Sequence, residues 1–297
     1  MKELVQISTQ SRPARRPEWL KVRIPGGENY FELKRLMRSQ GLHTVCESAR
    51  CPNVGECWAH RTATFMILGD LCTRRCGFCA VPKGRPGGQV DWGEPERVAE
   101  AAEGMGLQYV VVTSVDRDDL ADGGSTIFAR TIRALQRQIP GCKVEVLIPD
   151  FRGSDAALET VLAAKPDILN HNIETVERLY SVARRGSRYE RSLRLLRHSR
   201  AIAPGIPTKS GLMVGLGETF EEVLVLLADL ASAGVEIVTI GQYLRPSGEQ
   251  LPVARFWSPE EFAALKREGE RRGIRHVESG PLVRSSYHAH EQSQAIS

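Results

Sequence analysis

Thr64-Phe-Met-Ile-Leu68-Gly-Asp-Leu-Cys72-Thr-Arg-Arg-Cys76-Gly-Phe-Cys79 is an apolar run of strand length that opens into a loop carrying three cysteines. Downstream the pattern recurs. Further strands are predicted at Tyr109–Thr113, Lys143–Ile148, Asp167–Asn170, Thr208–Val214 and Val235–Ile240. Helices are predicted at Pro95–Met105, Ile127–Ile139, Asp155–Ala164, Tyr189–Ile202, Phe220–Ala233 and Pro259–Arg271. Strands that alternate with helices at this spacing predict parallel βαβ units with right-handed crossovers. Six units fall short of the eight of a closed barrel, which leaves a partial barrel or a doubly wound sheet. The segments rich in polar chemistry decide between them. The cysteine loop, Thr113–Asp119, Asn170–Glu174, Gly215–Glu218 and Gly241–Arg245 all follow strands, so they gather at the C-terminal rim, where barrel enzymes place their sites. The expected fold is α/β, a partial (β/α)6 barrel over residues 63–272, flanked by an N-terminal extension (1–62) and a C-terminal extension (273–297).

Upstream of the first strand lies a second triplet, Cys46, Cys51 and Cys57, so the stretch from Cys46 to Cys79 holds six of the seven cysteines. The spacings are C-x4-C-x5-C and C-x3-C-x2-C. A structural zinc site closes with four protein ligands, often two C-x2-C pairs, and each triplet is one short. Three thiolates on a cubane iron–sulfur cluster instead leave one iron open, so two clusters are the first reading. The upstream triplet falls in a loop broken by Pro52 and Gly55, after a short helix predicted from Tyr30 to Gln40. Residues 1–29, rich in Arg, Pro and Gly, read as an arm that wraps rather than a domain. Cys142 stands alone and reads as an inert thiol.

Composition narrows the class. Hydrophobic residues at 41% and charged residues at 26% suit a globular protein, and no apolar run approaches the ~20 residues of a membrane span. The start of the chain lacks the apolar core of a secretory signal, and metal-type cysteine spacing fits a reducing compartment, so a cytoplasmic location is expected. A net charge of +4 does not demand nucleic acid. The arginines at 184, 185, 188, 191, 194, 197 and 200 read as a solvated helix face beside Leu193, Leu195 and Leu196, with docking of an acidic partner as the alternative. The seven histidines show no H-E-x-x-H spacing, which argues against a zinc hydrolase.

The Cys72–Cys79 motif resembles that of the radical S-adenosylmethionine (SAM) superfamily. That resemblance implies a 4Fe–4S cluster on Cys72, Cys76 and Cys79, whose open iron is chelated by SAM and whose electron cleaves it to a 5′-deoxyadenosyl radical, chemistry beyond any side chain. The upstream triplet, Cys46-Glu-Ser-Ala-Arg-Cys51-Pro-Asn-Val-Gly-Glu-Cys57, looks like the auxiliary-cluster motif of the lipoyl synthase family. The likeness continues through Val112–Leu120, Asp122-Gly-Gly124, Asn170-His-Asn-Ile-Glu-Thr175, Lys209–Thr219 and Arg284-Ser-Ser-Tyr-His-Ala289, covering about residues 30–290. It implies two 4Fe–4S clusters, the auxiliary one held by Cys46, Cys51, Cys57 and a serine, Ser286 with Ser285 as the fallback. An oxygen donor suits soft iron poorly, so such a corner could leave, an advantage if the cluster is a sulfur source.

The substrate implied is an octanoyl chain on a lysine of a lipoyl domain of 2-oxoacid dehydrogenase complexes or of glycine-cleavage H protein. Its C6 and C8 carry unactivated C–H bonds that no carboxylate or histidine can deprotonate, so a radical is required. Ferredoxin or flavodoxin as reductant and iron–sulfur assembly or carrier proteins are the other partners implied. For SAM, Asn172 and Glu174 suit the ribose hydroxyls, Thr113 the methionine end and Arg184 its carboxylate, with Gly215, Gly217 and Glu218 offering a backbone approach to adenine. Asp116, Asp118, Asp119 and Asp122 lack calcium-loop spacing and read as rim residues. The competing readings are another two-cluster radical SAM enzyme, such as a methylthio-transferring RNA-modification protein, and an iron–sulfur carrier.

Overall fold

The computed structural model describes residues 17–21, 26–59 and 64–296, so most of the expected wrapping arm lies outside the described residues. Eight strands form one sheet in chain order: β1 (His43–Thr44), β2 (Thr64–Ile67), β3 (Tyr109–Ser114), β4 (Lys143–Leu147), β5 (Ile168–Asn170), β6 (Thr208–Val214), β7 (Ile237–Gln242) and β8 (His276–Gly280). β1 runs antiparallel to β2, and every later neighbour is parallel. No pairing among the described residues joins β8 back to β1 or β2, so the barrel is open. Helices fill the crossovers, as the alternation predicts.

The six expected strands and seven expected helices lie within two residues of those observed. Local chemistry explains the accuracy at the helix starts. Thr219 with Glu222 and Ser258 with Glu261 form complete capping boxes, and Pro259 occupies the first turn where its missing N–H costs nothing. Two strands were not expected. β1 is only two residues long. β8 falls inside the segment read as a C-terminal extension, yet it pairs with β7 along its whole length. Its sequence, His-Val-Glu-Ser-Gly, carries one apolar residue and buries only Val277, so neither alternation nor an apolar run marks it.

Along the strands the side chains alternate in period two. Phe65, Ile67, Val110, Val112, Val144, Val146, Val238 and Ile240 are fully buried in the layer beneath the helices. Their neighbours Thr64, Met66, Thr113, Leu147, Gly211, Met213, Thr239 and Gly241 face inward and line a cavity. Below them, Lys209 Nζ lies 2.9 Å from Glu145 Oε1, both side chains wholly buried. Tyr109 Oη and Asn170 Nδ2 donate to the same carboxylate at 2.7 and 3.0 Å.

After β8 the chain turns back across the inner face of the sheet. Val283 and Arg284 lie against Gly241 near the C-terminal end of β7, while Ile296 packs on Ile168 and Ile237, which begin β5 and β7. The C-terminal segment thus spans the barrel from rim to floor, ending in a short helix, Ala289–Gln294.

Candidate active site

One cavity of about 320 Å³ is lined by all six clustered cysteines, by Thr113, Asn172, Glu174 and Arg184, and by Ser285 and Ser286. Residues separated by up to 240 positions in the chain therefore open on a common space. Gly215, Gly217 and Glu218 do not line it. The Glu218 carboxylate folds back to accept the backbone N–H groups of Gly215 and, at 3.0 Å, Leu216, so that segment is a self-bracing turn.

The Cys72–Cys79 loop is held from three sides. The Cys72 N–H donates to the Pro82 carbonyl and the Gly84 N–H to the Cys72 carbonyl, both at 2.9 Å. The Gly77 N–H donates to the Ala183 carbonyl at 2.8 Å, and the Leu251 N–H to the Gly77 carbonyl at 2.9 Å. A Cβ on Gly77 would stand 2.9 Å from the Val182 carbonyl, so this position accepts no side chain without movement. Inside the loop Arg74 is buried and saturated. Its Nε and Nη2 donate to the two oxygens of Asp118 at 2.8 Å, Nη2 also to Asp150 at 2.6 Å and Nη1 to Ser187 at 2.9 Å; Asp116 stands 3.2 Å from Nη1. Burial opposes the charge on Arg74, but Asp118, Asp116 and Asp150 outweigh it and raise its pKa. The same pairing holds Asp150 well below the usual carboxylate range despite its burial.

The upstream triplet is built on two short helices, Val45–Ser48 and Val54–Ala59. Thr44 caps the first by accepting the Glu47 N–H, and the Cys51 N–H donates to the Cys46 carbonyl at 3.0 Å. Burial pushes the Cys46 and Cys57 thiols up to about 12, with neighbouring thiols of the same triplet adding to the effect. At Cys46 the Thr64 backbone and the Trp58 indole favour the thiolate and limit the shift. Cys72 is likewise raised to about 11, by burial and then by Asp116, and Cys51, Cys76 and Cys79 are raised chiefly by burial.

Without a cation these thiols stay neutral, and a bound metal centre would reverse that by favouring their deprotonation. Among the described residues no three His, Cys, Asp or Glu side chains converge on a point where one ion could sit. That is the wrong arrangement for a single zinc, whose thiolates must meet at ~2.3 Å from one centre. A four-iron cube presents separate iron corners to separate thiolates. Two all-thiol triplets, each electrostatically coupled within itself and open to a shared cavity, fit such clusters.

The tail brings two serine hydroxyls to the cavity. Thr64 Oγ1 donates to Ser286 Oγ at 2.8 Å, and Asn53 Nδ2 to the Leu282 carbonyl at 2.7 Å, so Ser286 stands beside the upstream triplet. Ser285 faces another way, accepting from Asn172 Nδ2 at 3.2 Å. The same amide nitrogen donates to Glu174 Oε1 at 3.1 Å. Glu174 has φ 68°, an uncommon left-handed conformation, fixed by exchange of backbone hydrogen bonds with Gly211 and Met213. Burial raises its pKa while Arg184 opposes the shift. Arg184 is buried, with Nη1 engaged by Tyr180 and Ser192 at 3.0 and 2.9 Å. Thr113 spends its hydroxyl proton on the Leu147 carbonyl at 3.0 Å, leaving its lone pairs toward the cavity.

The profile described as the radical SAM superfamily matches residues 66–230, and that of the N-terminal domain of lipoyl synthase matches residues 1–51. A lipoyl synthase of Koribacter versatilis is 61% identical over 294 residues, covering 99% of this chain and 96% of that protein. One from Symbiobacterium thermophilum is 60% identical, covering 99% and 92%. The chain belongs to the lipoyl synthase family. As a lipoyl synthase family member it is a radical SAM sulfur-inserting enzyme, whose superfamily uses a 4Fe–4S cluster and SAM. Methylornithine synthase (PylB), at 16% identity and TM-score 0.54, covers 70% of this chain and 61% of its own. Coproporphyrinogen III oxidase (HemN) of Escherichia coli, at 15% and 0.50, covers 69% and 49%. These share the fold, a partial barrel. No helix among the described residues is long and apolar enough to cross a membrane.

The arginine run divides. Arg191, Arg194, Arg197 and Arg200 pair with Asp150, Asp155, Glu190 and Glu236 at 2.5–3.3 Å, over buried Leu193, Leu195 and Leu196. Sequence reasoning passed over Arg74 and Asp150 and read Asp116 and Asp118 only as rim residues. The trace of Arg74 is the arginine pair between Cys72 and Cys76 and that of Asp116 and Asp118 the acidic run after β3, while Asp150 stands alone after β4.

Proposed function

We infer that this chain inserts two sulfur atoms, at C6 and C8, into an octanoyl group carried on the lysine of a lipoyl domain or glycine-cleavage H protein. The observation that carries this reading is the opening of both thiol triplets and Ser286 onto one cavity. Cys72, Cys76 and Cys79 would hold one 4Fe–4S cluster, and Cys46, Cys51, Cys57 and Ser286 a second. When bound, the first group with SAM supplies a hydrogen-abstracting radical and the second supplies sulfur.

The chain's own residues orient and enclose. Val115, Leu147, Met213, Leu244 and Val283 give the cavity apolar wall that suits an alkyl chain and excludes water. Glu174 and Asn172 would accept and donate to ribose hydroxyls, Thr113 would meet the methionine end, and the free nitrogens of Arg184 would meet its carboxylate. Ser286 would be a hard and therefore labile corner on a soft cluster. The first extension carries one triplet, the barrel the other, and the final segment the serine. A ferredoxin or flavodoxin would feed electrons, and an iron–sulfur carrier would restore the sulfur source, all in the cytoplasm.

The test is an anaerobic reaction of the reconstituted enzyme with an octanoyl-lysine peptide, SAM and dithionite. The expected products are 5′-deoxyadenosine and a peptide heavier by two sulfurs. Deoxyadenosine without sulfur gain would refute the substrate assignment, and its absence would refute the radical reading.

A further inference from the structure

The outer face of the Cys72–Cys79 loop carries charge that the reaction above does not use. From Leu71 to Val90 the chain contains Arg74, Arg75, Lys83 and Arg85 and no carboxylate; from Leu179 to Tyr189 it contains Arg184, Arg185 and Arg188 and again none. The fold brings these stretches together. Cys72 bridges Lys83, Gly77 bonds the Ala183 carbonyl, and Arg74 bonds Ser187 at 2.9 Å. Of the carboxylates near the loop, Asp116, Asp118 and Asp150 surround Arg74, Asp119 binds Arg117 at 2.8 Å, Glu174 faces the cavity, and exposed Asp70 precedes the stretch. Arg75, Lys83, Arg85, Arg185 and Arg188 are all exposed, and none has an ion pair among the described residues. On the helix that follows, Tyr189–Ile202, Arg194, Arg197 and Arg200 are paired, which makes the residual charge local to the loop and the segment before that helix.

We propose that this cationic face is the docking surface for an acidic one-electron carrier protein that reduces the group held by Cys72, Cys76 and Cys79. The inference rests on the function given above and names a partner surface for it. Exposed charges of one sign steer an oppositely charged partner and set its orientation more than its residence. The geometry favours an electron carrier over the acyl carrier. Arg75, Arg85, Arg185 and Arg188 do not line the cavity, so a protein seated on them is beside the thiol loop rather than delivering a side chain into the interior. An electron donor needs only that proximity. One electron leaves the carrier, one enters the group on the loop, and no bond is made or broken in the transfer.

The test uses the reconstituted holoenzyme and its R75E/R85E/R185E/R188E variant, none of whose positions touches the cavity. Deoxyadenosine formation from SAM is measured with dithionite and with a reduced acidic flavodoxin, and flavodoxin binding is measured by calorimetry between about 0.05 and 0.5 M salt, which shortens the screening length severalfold. The expected result is dithionite-driven turnover within about twofold of the parent, flavodoxin-driven turnover and affinity reduced at least about tenfold, and a weaker salt dependence, as for lost steering charges. Unchanged flavodoxin binding and turnover in the variant would overturn the proposal. So would a loss confined to binding of an octanoylated lipoyl domain, which would make the face an acyl-carrier surface. If the parent itself fails to cleave SAM with dithionite, the functional reading fails and this proposal with it.

Discussion

Replacing Arg74 by Met keeps the length of the side chain and removes its charge from a pocket where Asp150 is fully buried and Asp116 and Asp118 are largely so. Four hydrogen bonds and a further ion-pair contact go with it. Breaking a buried ion pair from one side costs about 3–5 kcal/mol, because the abandoned charge is left in low dielectric. Arg191 still reaches Asp150 at 3.2 Å, which argues for the lower half of that range. With an unfolding entropy of ~2.1 cal/mol/K per residue, that penalty over 297 residues lowers Tm by roughly 5–6 °C. The sign with pH follows from Asp150, whose pKa in the folded chain lies below its ordinary value. Its stabilisation is present in full above the ordinary carboxylate value and is lost progressively as pH falls below that value toward the lower folded one, so the gap between parent and variant narrows in acid. Calorimetric melting of the metal-free proteins at pH 8 and at about pH 3 measures both, and alkylation of Cys72, Cys76 and Cys79 reports whether the loop has loosened. A Tm within about 2 °C of the parent at pH 8, with unchanged alkylation, would refute the reasoning; that is less than the ~3 kcal/mol such a loss requires.

Gly241→Ala puts a methyl group against the Val283 carbonyl and 2.9 Å from Arg284 Nη1; hydrogen exchange over residues 283–296 is expected to rise and bound iron to fall from roughly eight toward four per chain as one cubane is lost. Ser286→Cys is expected to retain iron and lose sulfur insertion, and full activity in that variant would defeat the labile-corner argument. Lys209→Met strands the buried Glu145 and is expected to cost about 3–5 kcal/mol in denaturant unfolding, only part of it recovered in Lys209→Met/Glu145→Leu, which leaves Tyr109 Oη and Asn170 Nδ2 without their acceptor. His171, wholly buried, donates from Nδ1 to the Ile148 carbonyl and accepts at Nε2 from Ser192, a neutral arrangement; burial and then Arg184 lower its pKa to about 3. Between the ordinary value and about 3 the unfolded chain binds a proton that the folded one refuses, so stability falls with pH. The His171→Gln variant should lose up to ~1.4 kcal/mol per pH unit of that slope between pH 6 and 4.5; identical slopes would show that His171 is not responsible.

What could be read from the sequence divides along physical lines. Six strands and seven helices were legible because burial on one face imposes a period and because caps such as Thr219 and Ser258 announce themselves locally. β8 was not, since an edge strand that buries only Val277 needs no apolar pattern. The cysteine triplets were legible by spacing. Arg74 was not, because Asp118 and Asp150 lie 44 and 76 residues away and nothing local ties them together. The sequence left Ser285 open as a fallback to Ser286; in space the two differ, one turned to Thr64 and the other to Asn172. Gly215 and Gly217 looked like a backbone approach to a ligand, but the turn they make is filled by Glu218.

The C-terminal segment also fixes an order of assembly. Asn53 to Leu282, Thr64 to Ser286 and Tyr287 to Glu56 are contacts across 229, 222 and 231 residues. At translation rates of ~5–20 residues per second, residues 282–287 emerge roughly 10–50 s after the cysteines they must meet. Closing loops of that length is also an entropic burden that early folding steps do not bear. The Cys72–Cys79 loop, whose braces come from Pro82 to Leu251, can be complete while the upstream triplet still lacks its wall. The upstream triplet is therefore the later of the two to be enclosed, and its thiols stay open to solvent and to oxidation until the last turn of the chain falls into place.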